Sequence, residues 1–347
     1  MTDAELARAI AEKAAEQGGT VYFVGGCVRD RLLGLENKDI DIEVHGIPAE
    51  ALEQLLSELG ACMKIGKSFG IYGLKGHALD IALPRTERRT GVGHRDFAVT
   101  SDPFLGTYEA AKRRDFTMNA LAYHPAAGVV DLVGGRADIE AGLVRCVGDP
   151  DRRFREDGLR MLRALRFASV YGMTIEPGTA AAVHRNRALL ERIAAERVQA
   201  ELTKLLCGRG AAAVLRSFAD VLAVLIPELA PMFGFDQRNP HHDRDVWEHT
   251  IAVVEHTPPE PVLRWAALLH DIGKPSCFSR TEDGVGHFFG HAEQSTVMAE
   301  QILNRLRFDR DGRERIVRLV RFHDMPLTAD RRLVKRLLSK HGEEAAH

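Results

Sequence analysis

The stretch VYFVGGCVRDRLLGLENKDIDIEV, residues 21 to 44, decides the fold of this chain. Its first four residues are apolar and predict a short buried strand, which runs directly into Gly25-Gly26. Glycines at a strand end permit backbone angles that other residues avoid, and the N–H groups of such a turn can cradle phosphate. A helix that carries Arg29 is expected to begin after the turn. The pattern therefore predicts a strand–turn–helix unit that binds phosphate through Gly25, Gly26 and Arg29.

The second half of the stretch alternates acidic and β-branched residues. Residues two apart on a strand share a face, about 7 Å apart between Cα atoms, so Asp39 and Asp41 are predicted to point the same way. Two such carboxylates can hold a pair of Mg²⁺ ions roughly 3.5–4 Å apart, as in-line phosphoryl displacement requires. The alternative is that both aspartates, with Glu43, form the solvated face of an edge strand. Asp80 also stands between apolar residues, and it is either a third carboxylate of this site or a solvated strand position.

The motif GGCVRD followed by DID resembles the nucleotidyltransferase superfamily of DNA polymerase β, in its class II tRNA nucleotidyltransferase (CCA-adding) form. RRDFTMNAL, residues 113 to 121, resembles the second motif of that family, which implies that Arg114 binds the triphosphate. The alternative is a helix start with Arg113 and Arg114 in solvent. Residues 84 to 112 are rich in glycine and arginine and resemble the family's flexible loop, which helps the site change nucleotide. This resemblance favours a complete CCA-adding enzyme.

Residues 156 to 167, EDGLRMLRALRF, predict one helix on which Asp157, Arg160, Arg163 and Arg166 recur every third residue. The resemblance implies that these four residues seat the nucleotide; the alternative is a solvated basic face. Cytosine and adenine both present an amino donor beside a ring-nitrogen acceptor. Asp157 can accept from the amino group while Arg160 donates to the ring, so one pair of side chains could accept C and A and reject G and U.

Residues 151 to 216 carry 13 Lys+Arg against 7 Asp+Glu, an excess of six positive charges. Twelve of the basic residues are arginine, which suits bidentate contacts with phosphate. Because the whole chain has a net charge of −2, affinity for nucleic acid must come from such a local patch. The segment is therefore predicted to follow an RNA backbone, with an affinity that falls as salt rises.

A second group of motifs begins near residue 240. It contains His249, the sequence HDIGKP at residues 270 to 275, and further histidines. The order H…HD…H…HD resembles the HD phosphohydrolase superfamily, although a lone histidine is more often a core or surface residue. The predicted metal ligands are His249, His270, Asp271, His291, His323 and Asp324, with His287 nearby. Imidazole and carboxylate suit a divalent metal such as Mg, Mn, Ni or Zn, and the substrate stays open.

These motifs predict an α+β chain: a small mixed-sheet, polymerase β-like head at residues 1–145, an all-α nucleotide- and RNA-binding neck at 146–235, and an α-helical HD domain at 240–347. Within the head, the pattern predicts a capped helix over 3–17, two or three strands over 61–83, and a strand pair over 129–150 that turns at Gly134-Gly135.

Composition limits the class of protein. The 347 residues are 45% hydrophobic and 28% charged, as in ordinary globular proteins. The five cysteines lie far apart without a C-x-x-C motif, which predicts free thiols in a reducing cytoplasm. No apolar run approaches 18 residues, so no membrane span is expected, and the first residues predict a capping box rather than a signal peptide.

The resemblance implies template-free addition of C and A to the 3′ end of tRNA from CTP and ATP, with two Mg²⁺ ions and release of pyrophosphate. Relatives also include CC-adding, A-adding and poly(A)-adding enzymes. Many carry a longer helical body and tail, whereas this sequence stops at His347, which leaves open how tRNA is gripped. Two other classes compete: an HD phosphohydrolase with a degenerate head, and a non-catalytic RNA-binding protein. Intact Asp39 and Asp41 argue against both, and the oligomeric state stays open.

Overall fold

The alternating apolar pattern of the first 130 residues builds a seven-stranded sheet, as the computed structural model shows. The structure describes residues 1–37, 39–64, 70–89, 97–238, 244–282 and 284–325. The chain divides into two units, Met1–Asp157 and Gly158–His347. The strands of the first unit are β1 (Thr20–Val24), β2 (Ile40–His45), β3 (Cys62–Lys64), β4 (Ile71–Leu74), β5 (Leu79–Ala82), β6 (Arg85–Arg89), β7 (Phe97–Ser101), β8 (Ala122–His124), β9 (Gly128–Val130) and β10 (Leu143–Val144).

The strand order in the large sheet is β3-β4-β5-β2-β1-β8-β9. Strands β2 and β5 run parallel, and the other neighbouring pairs run antiparallel, so the sheet is mixed, as predicted. Because β2 lies at the centre of this order, the alternative of a solvated edge strand is wrong. The helices of the first unit are α1 (Asp3–Glu16), α2 (Gly26–Leu32), α3 (Ala49–Leu59), α4 (Thr107–Lys112), α5 (Gly135–Glu140) and α6 (Pro150–Glu156), with a 3₁₀ turn at Thr117–Asn119.

Helices α1 and α3 cover one face of the sheet. Their leucine and isoleucine side chains form the core with Ile42 and Val44 of β2, which are both fully buried. Side chains alternate along a strand, so Asp41, Glu43 and His45 point to the opposite face. The position of the core therefore determines that the acidic residues of β2 lie together on the other side of the sheet.

Two expectations for the first unit are wrong. Residues 84 to 112 are not one long loop, because β6 pairs with β7 in a hairpin and α4 follows; residues 90–96, which hold Arg95 and two glycines, lie outside the described residues. Residues 129 to 150 do not form a strand pair of their own. Strand β9 pairs with β8, and Gly134, at φ +82°, starts helix α5 instead of a turn between strands.

The second unit is mainly helical, as predicted, but it also contains very short strands. Its elements are α7 (Leu159–Tyr171), β11 (Thr174–Ile175), α8 (Pro177–Asn186), α9 (Ala195–Leu206), α10 (Ala211–Ser217), α11 (Ala219–Leu225), α12 (Val246–His256), α13 (Pro261–Leu269), β12 (Ser279–Arg280), β13 (Gly286–His287), α14 (His291–Arg305) and α15 (Arg310–Phe322), with 3₁₀ turns at Arg187–Arg192, Pro227–Met232 and Lys274–Cys277.

The predicted single helix over residues 156 to 167 is interrupted. Helix α6 ends at Glu156, Asp157 is extended at φ −145° and ψ 107°, and α7 starts at Leu159 after Gly158. Only Asp157 leaves the helical region, because Gly158 keeps helical angles (φ −60°, ψ −25°), and the poor helix propensity of aspartate is consistent with a break at that residue. Arg160, Arg163 and Arg166 lie on α7 as predicted, whereas Asp157 precedes that helix.

Helices α9 and α13 share one core in the second unit. Trp265 of α13 is fully buried, and its indole N–H donates to Oγ1 of Thr203 on α9 at 2.9 Å. Leu268, also on α13, lies among leucines of α9, α10 and α11. The predicted HD segment therefore packs into the helices that precede it in the chain.

All five cysteines are unpaired, as predicted. No helix in the described part of the chain is both long and apolar enough to cross a membrane.

The core of the first unit provides a stability test. Ile10 of α1 is fully buried, so Ile10→Ala should lower the free energy of unfolding by about 2–5 kcal/mol, through lost burial and the cavity left behind. Glu12→Ala on the exposed side of α1 is the control and should change it by less than about 0.5 kcal/mol. Urea unfolding followed by circular dichroism measures both, and equal midpoints would contradict the packing of α1.

Candidate active site and metal centre

Three carboxylates meet at one end of the central strands. In the parallel pair of β2 and β5, Asp41 is the register partner of Asp80, and neighbouring strands lie about 4.8 Å apart. Asp39 is exposed and stands just before β2, two residues from Asp41. Burial raises the pKa of Asp41, and the charges of Asp80 and Asp39 raise it further, against the effect of Arg114. Carboxylates crowded in this way suit a divalent cation, which would relieve their repulsion.

The Gly25-Gly26 turn lies beside this group. Gly25 has φ +74°, a backbone conformation that L side chains rarely adopt, and it precedes α2. A Cβ built on Gly25 would lie 3.5 Å from Oδ2 of Asp41 and 3.5 Å from Nη1 of Arg114. The turn, a carboxylate and a guanidinium therefore converge, as the sequence predicts. The predicted roles of these residues toward phosphate stay predictions.

Arg29 has a different setting from the one expected. It is only 7% exposed, its Nε donates to Asp30 at 2.8 Å, and its Nη1 donates to Asn119 at 2.6 Å. Asn119 belongs to the RRDFTMNAL motif, so Arg29 links helix α2 to that motif. A Cβ on Gly26 would lie 3.4 Å from Nη2 of Arg29. In this arrangement Arg29 packs beside the glycine turn and joins it to the second motif. A contact between Arg29 and phosphate stays a prediction.

Glu43 forms an ion-pair network that the sequence did not indicate. The residue is 3% exposed and accepts a hydrogen bond from Nη2 of Arg113, while Nη2 of Arg114 lies 3.9 Å from the same oxygen. Nε2 of His45 lies 3.3 Å from the other oxygen. Burial by itself would raise the pKa of Glu43, but His45, Arg114 and Arg113 together lower it to about 2. Arg113 and Arg114 follow α4 and are partly buried, which contradicts the alternative that places them in solvent at a helix start.

Three arginines of α7 lie in the second unit, and all are partly exposed. Nε of Arg166 donates to Glu201 of α9 at 2.6 Å. The guanidinium carbons of Arg163 and Arg166 lie 5.3 and 3.9 Å from the centre of the Phe167 ring. These contacts orient Arg163 and Arg166, two of the predicted nucleotide-binding residues. Asp157 and Arg160 are partly exposed, and their role in binding the base stays a prediction.

A second cluster surrounds Asp271, which is 1% exposed. Nε2 of His249 and of His270 lie 3.5 and 3.0 Å from its Oδ2. Nε2 of His291 and of His323 lie 3.4 and 3.5 Å from its Oδ1. These ligand atoms form two groups that share Asp271, and within each group they lie within 4.8 Å of one another. The structure thus brings together five of the six predicted ligands.

Hydrogen bonds fix the orientation of three of the imidazole rings around Asp271. Nδ1 of His270, His291 and His323 lies 2.8, 2.9 and 2.7 Å from a backbone carbonyl oxygen three residues earlier. An N–H on Nδ1 leaves Nε2 as a bare acceptor, the form that binds metal. Within the described residues, neither oxygen of Asp271 receives a hydrogen bond of good geometry. The donor set therefore fits a divalent metal.

Two histidine-motif residues lie outside this cluster, and one residue was missed. Asp324 is exposed and belongs to neither ligand group, and His287 stacks on Phe289 with ring centres 5.2 Å apart.

Lys274, part of HDIGKP, contacts the cluster although it was not predicted to take part. Its Nζ lies 2.8 Å from Oδ2 of Asp271 and donates to Gln237 at 3.1 Å. The spacing of three residues between Asp271 and Lys274 could have predicted this contact, because residues three apart in helical backbone lie side by side.

Three family models match successive segments of the chain. Residues 21–145 match the family model of the poly A polymerase head domain, residues 172–233 match that of a probable RNA- and SrmB-binding site of polymerase A, and residues 242–341 match that of the HD domain.

Among curated relatives, a multifunctional CCA protein of Azoarcus is 35% identical over 315 residues, which are 87% of this chain and 73% of that protein. A CCA-adding enzyme of Limosilactobacillus fermentum is 44% identical over 218 residues, which are 62% of this chain and 53% of that protein. The chain thus spans about half of the second relative and about three quarters of the first.

Among solved structures, the Bacillus stearothermophilus CCA-adding enzyme in complex with CTP is 25% identical, with a TM-score of 0.69 over 99% of this chain and 77% of that one. The Thermotoga maritima CCA-adding enzyme complexed with tRNA is 23% identical, with a TM-score of 0.58 over 97% and 72%. The second likeness is evidence for the fold alone.

The histidine cluster yields a prediction about metal content. His270→Ala removes one ligand from the Oδ2 side of Asp271, so protein stripped with EDTA and titrated with Mn²⁺ should bind at least tenfold more weakly. His287→Ala, outside the cluster, should bind like the wild type. Equilibrium dialysis with elemental analysis measures both in the Asp41→Asn background, which weakens the head site. Equal Mn²⁺ binding by both variants would remove His270 from the metal centre.

Proposed function

The chain belongs to the family of CCA-adding enzymes and multifunctional CCA proteins, and on that premise we propose that it is a tRNA nucleotidyltransferase. It adds C and A to the 3′ end of tRNA from CTP and ATP, without a template, and releases pyrophosphate. The observation that carries the proposal is the register of β2 and β5, which sets Asp41 opposite Asp80 beside the Gly25 turn and Arg114. The cytoplasm, where these substrates occur, is the proposed location.

The site fits Mg²⁺, because Asp41 is crowded by two further carboxylates and its pKa is raised. Asp39 and Asp41, with Asp80 beside them, would hold the ions. Bound Mg²⁺ would lower the pKa of the attacking 3′-hydroxyl and neutralise charge on the leaving pyrophosphate. Arg114 binds the triphosphate through its guanidinium, and the backbone N–H groups of the Gly25-Gly26 turn donate hydrogen bonds to the same phosphates.

Four residues of the predicted neck bind the base and the rest of the nucleotide. Asp157 accepts from the exocyclic amino group, and Arg160 donates to the adjacent ring nitrogen. Arg163 and Arg166 help to position the nucleotide. The salt bridge to Glu201 orients the Arg166 guanidinium. The arginine-rich segment from 151 to 216 supports binding of the tRNA backbone.

The reaction is tested by incubating the protein with Mg²⁺, radiolabelled CTP or ATP, and tRNA that lacks its 3′ end. Transfer of label to tRNA is expected. Separate tRNAs that end before, within or after the CC pair distinguish full CCA addition from CC-only, A-only and poly(A) addition. Retardation of tRNA in a gel without label transfer would instead favour a non-catalytic RNA-binding protein.

The cluster around Asp271 favours a second activity, metal-dependent hydrolysis of a phosphate ester. A divalent metal held by His249, His270 and Asp271, or by Asp271, His291 and His323, would polarise the phosphoryl oxygens and activate water. Mg, Mn, Ni and Zn are compared in turn with a cyclic nucleotide and a phosphate monoester as substrates. Hydrolysis that is lost in His270→Ala, with nucleotide addition retained, supports two separate activities.

Asp41→Asn should abolish nucleotide addition while tRNA binding stays within a few-fold of the wild type. The variant loses the half-buried carboxylate at the centre of the proposed metal site, and the barrier should rise by several kcal/mol. Single-turnover label transfer and gel retardation measure the two quantities. Addition near the wild-type rate would remove β2 from the active site.

Asp157→Ala should erode the preference for CTP and ATP over UTP and GTP by roughly 5- to 150-fold, since a bidentate pair discriminates by about 1–3 kcal/mol. Addition should also slow, because a loosely held nucleotide is poorly aligned for attack. The measurement is kcat/KM for all four nucleotides on one tRNA, with Asp151→Ala on the adjacent helix α6 as the control. An unchanged ranking would place base selection elsewhere.

A further inference from the structure

Taking the proposed nucleotide addition as given, we propose that Glu43 is a positioning residue for the triphosphate. It acts through two arginines, because it holds Arg113 in a buried salt bridge and keeps Arg114 between itself and the metal-binding carboxylates. The D-x-D pattern of β2 thus continues as D-x-D-x-E, with a different task for the third acid. None of the family motifs in the sequence points to this role.

The setting of Glu43 is that of a fixed anchor. Its side chain is 4% exposed, and both carboxylate oxygens are engaged. Oε1 accepts from Nη2 of Arg113, and Oε2 lies 3.3 Å from Nε2 of His45. Nδ1 of His45 in turn lies 3.1 Å from the backbone oxygen of Leu105. The carboxylate is therefore held from both sides before any nucleotide arrives.

The two arginines occupy different positions relative to this anchor. Arg113 is the inner one, with 17% of its side chain exposed, and Arg114 is the outer one, with 28% exposed. Nη2 of Arg114 lies 3.9 Å from Glu43, while its Nη1 reaches the space above Gly25, where Oδ2 of Asp41 also lies. Arg114 thus spans from Glu43 to the metal-binding end of β2, where phosphate oxygens are expected.

The charges explain why this arrangement needs Glu43. Arg113 and Arg114 are adjacent in sequence, and partly buried like charges repel each other strongly. The negative charge of Glu43 offsets that repulsion. Arg113 donates a hydrogen bond to it, whereas Arg114 stays 3.9 Å away. If the charge of Glu43 is removed, Asp41 becomes a competing carboxylate partner for Arg114, and an Arg114–Asp41 salt bridge would compete with both Mg²⁺ and the triphosphate. Nucleotide affinity should then fall more than the rate of the chemical step.

The test is Glu43→Gln, which keeps the shape and removes the charge. KM for CTP and for ATP should rise about tenfold, the equivalent of roughly 1.4 kcal/mol, while kcat stays within about threefold. Glu43→Asp keeps the charge and should restore part of the affinity. In an Arg114→Ala background, Glu43→Gln should change KM less than about twofold, because the two residues act together. An unchanged KM, or a loss confined to kcat, would overturn the proposal.

A matched control separates positioning from general loosening of the fold. Asp138 is a buried carboxylate of the same unit, 6% exposed, whose salt bridge to Arg145 is 3.0 Å long. Asp138→Asn should destabilise the protein without raising KM; an equal rise in KM for both variants would overturn the proposal. If Glu43→Gln fails to fold, Arg113→Gln replaces it as the variant. Without Arg113, Glu43 is left to pair with Arg114 and draws it away from the phosphates, so KM should again rise.

Direct binding distinguishes this inference from the function it rests on. Equilibrium dialysis with Mg²⁺ and CTP, without tRNA, measures affinity in the absence of turnover. Wild-type protein that neither binds CTP nor labels tRNA would refute the nucleotidyltransferase function itself. Wild-type protein that does both, with Glu43→Gln equal to it in affinity, would refute only the positioning role of Glu43.

Discussion

The parallel pairing of β2 with β5 is the constraint on which the first unit depends. It is the parallel contact in a sheet whose other neighbouring strands run antiparallel, and it sets Asp41 directly beside Asp80. Two carboxylates so close repel each other, so the arrangement costs stability unless a cation balances it. The core formed by α1, α3 and the apolar residues of β2 supplies the rigidity that holds the two strands in this register.

Charge is ordered along the face of β2 that points away from the apolar core. Asp39 and Asp41 lie at the end that faces the glycine turn, while Glu43 and His45 lie further into the protein against Arg113. A strand that carried three uncompensated acids on one face would be unstable. The salt bridge from Arg113 satisfies the inner acid, so that the negative charge left at the outer end of the strand is available to cations.

The sequence predicted those features that depend on local pattern. The first strand and the glycine turn follow from spacing within one short motif, whereas the mixed sheet and the histidines around Asp271 were predicted from the family resemblance. Features that depend on distant partners were missed. Glu43 is buried because Arg113, 70 positions away, pairs with it, and periodicity carries no sign of that. The break at Asp157 was overlooked because arginines at helical spacing outweighed the poor helix propensity of Asp157 and Gly158. Gly134 looked like a hairpin turn but begins a helix, since both glycine uses require the same positive φ.

The buried contact between Trp265 and Thr203 bears on how this chain can be shortened. Every motif of the nucleotidyltransferase lies before residue 207, which suggests cutting the chain in the polar segment near residue 240 to obtain a minimal enzyme. Such a cut would remove Trp265 and Leu268 from the leucines of α9 and α10 and would leave an apolar surface in water. The HD segment is thus a structural component of the helical unit, independently of any chemistry at its histidine cluster.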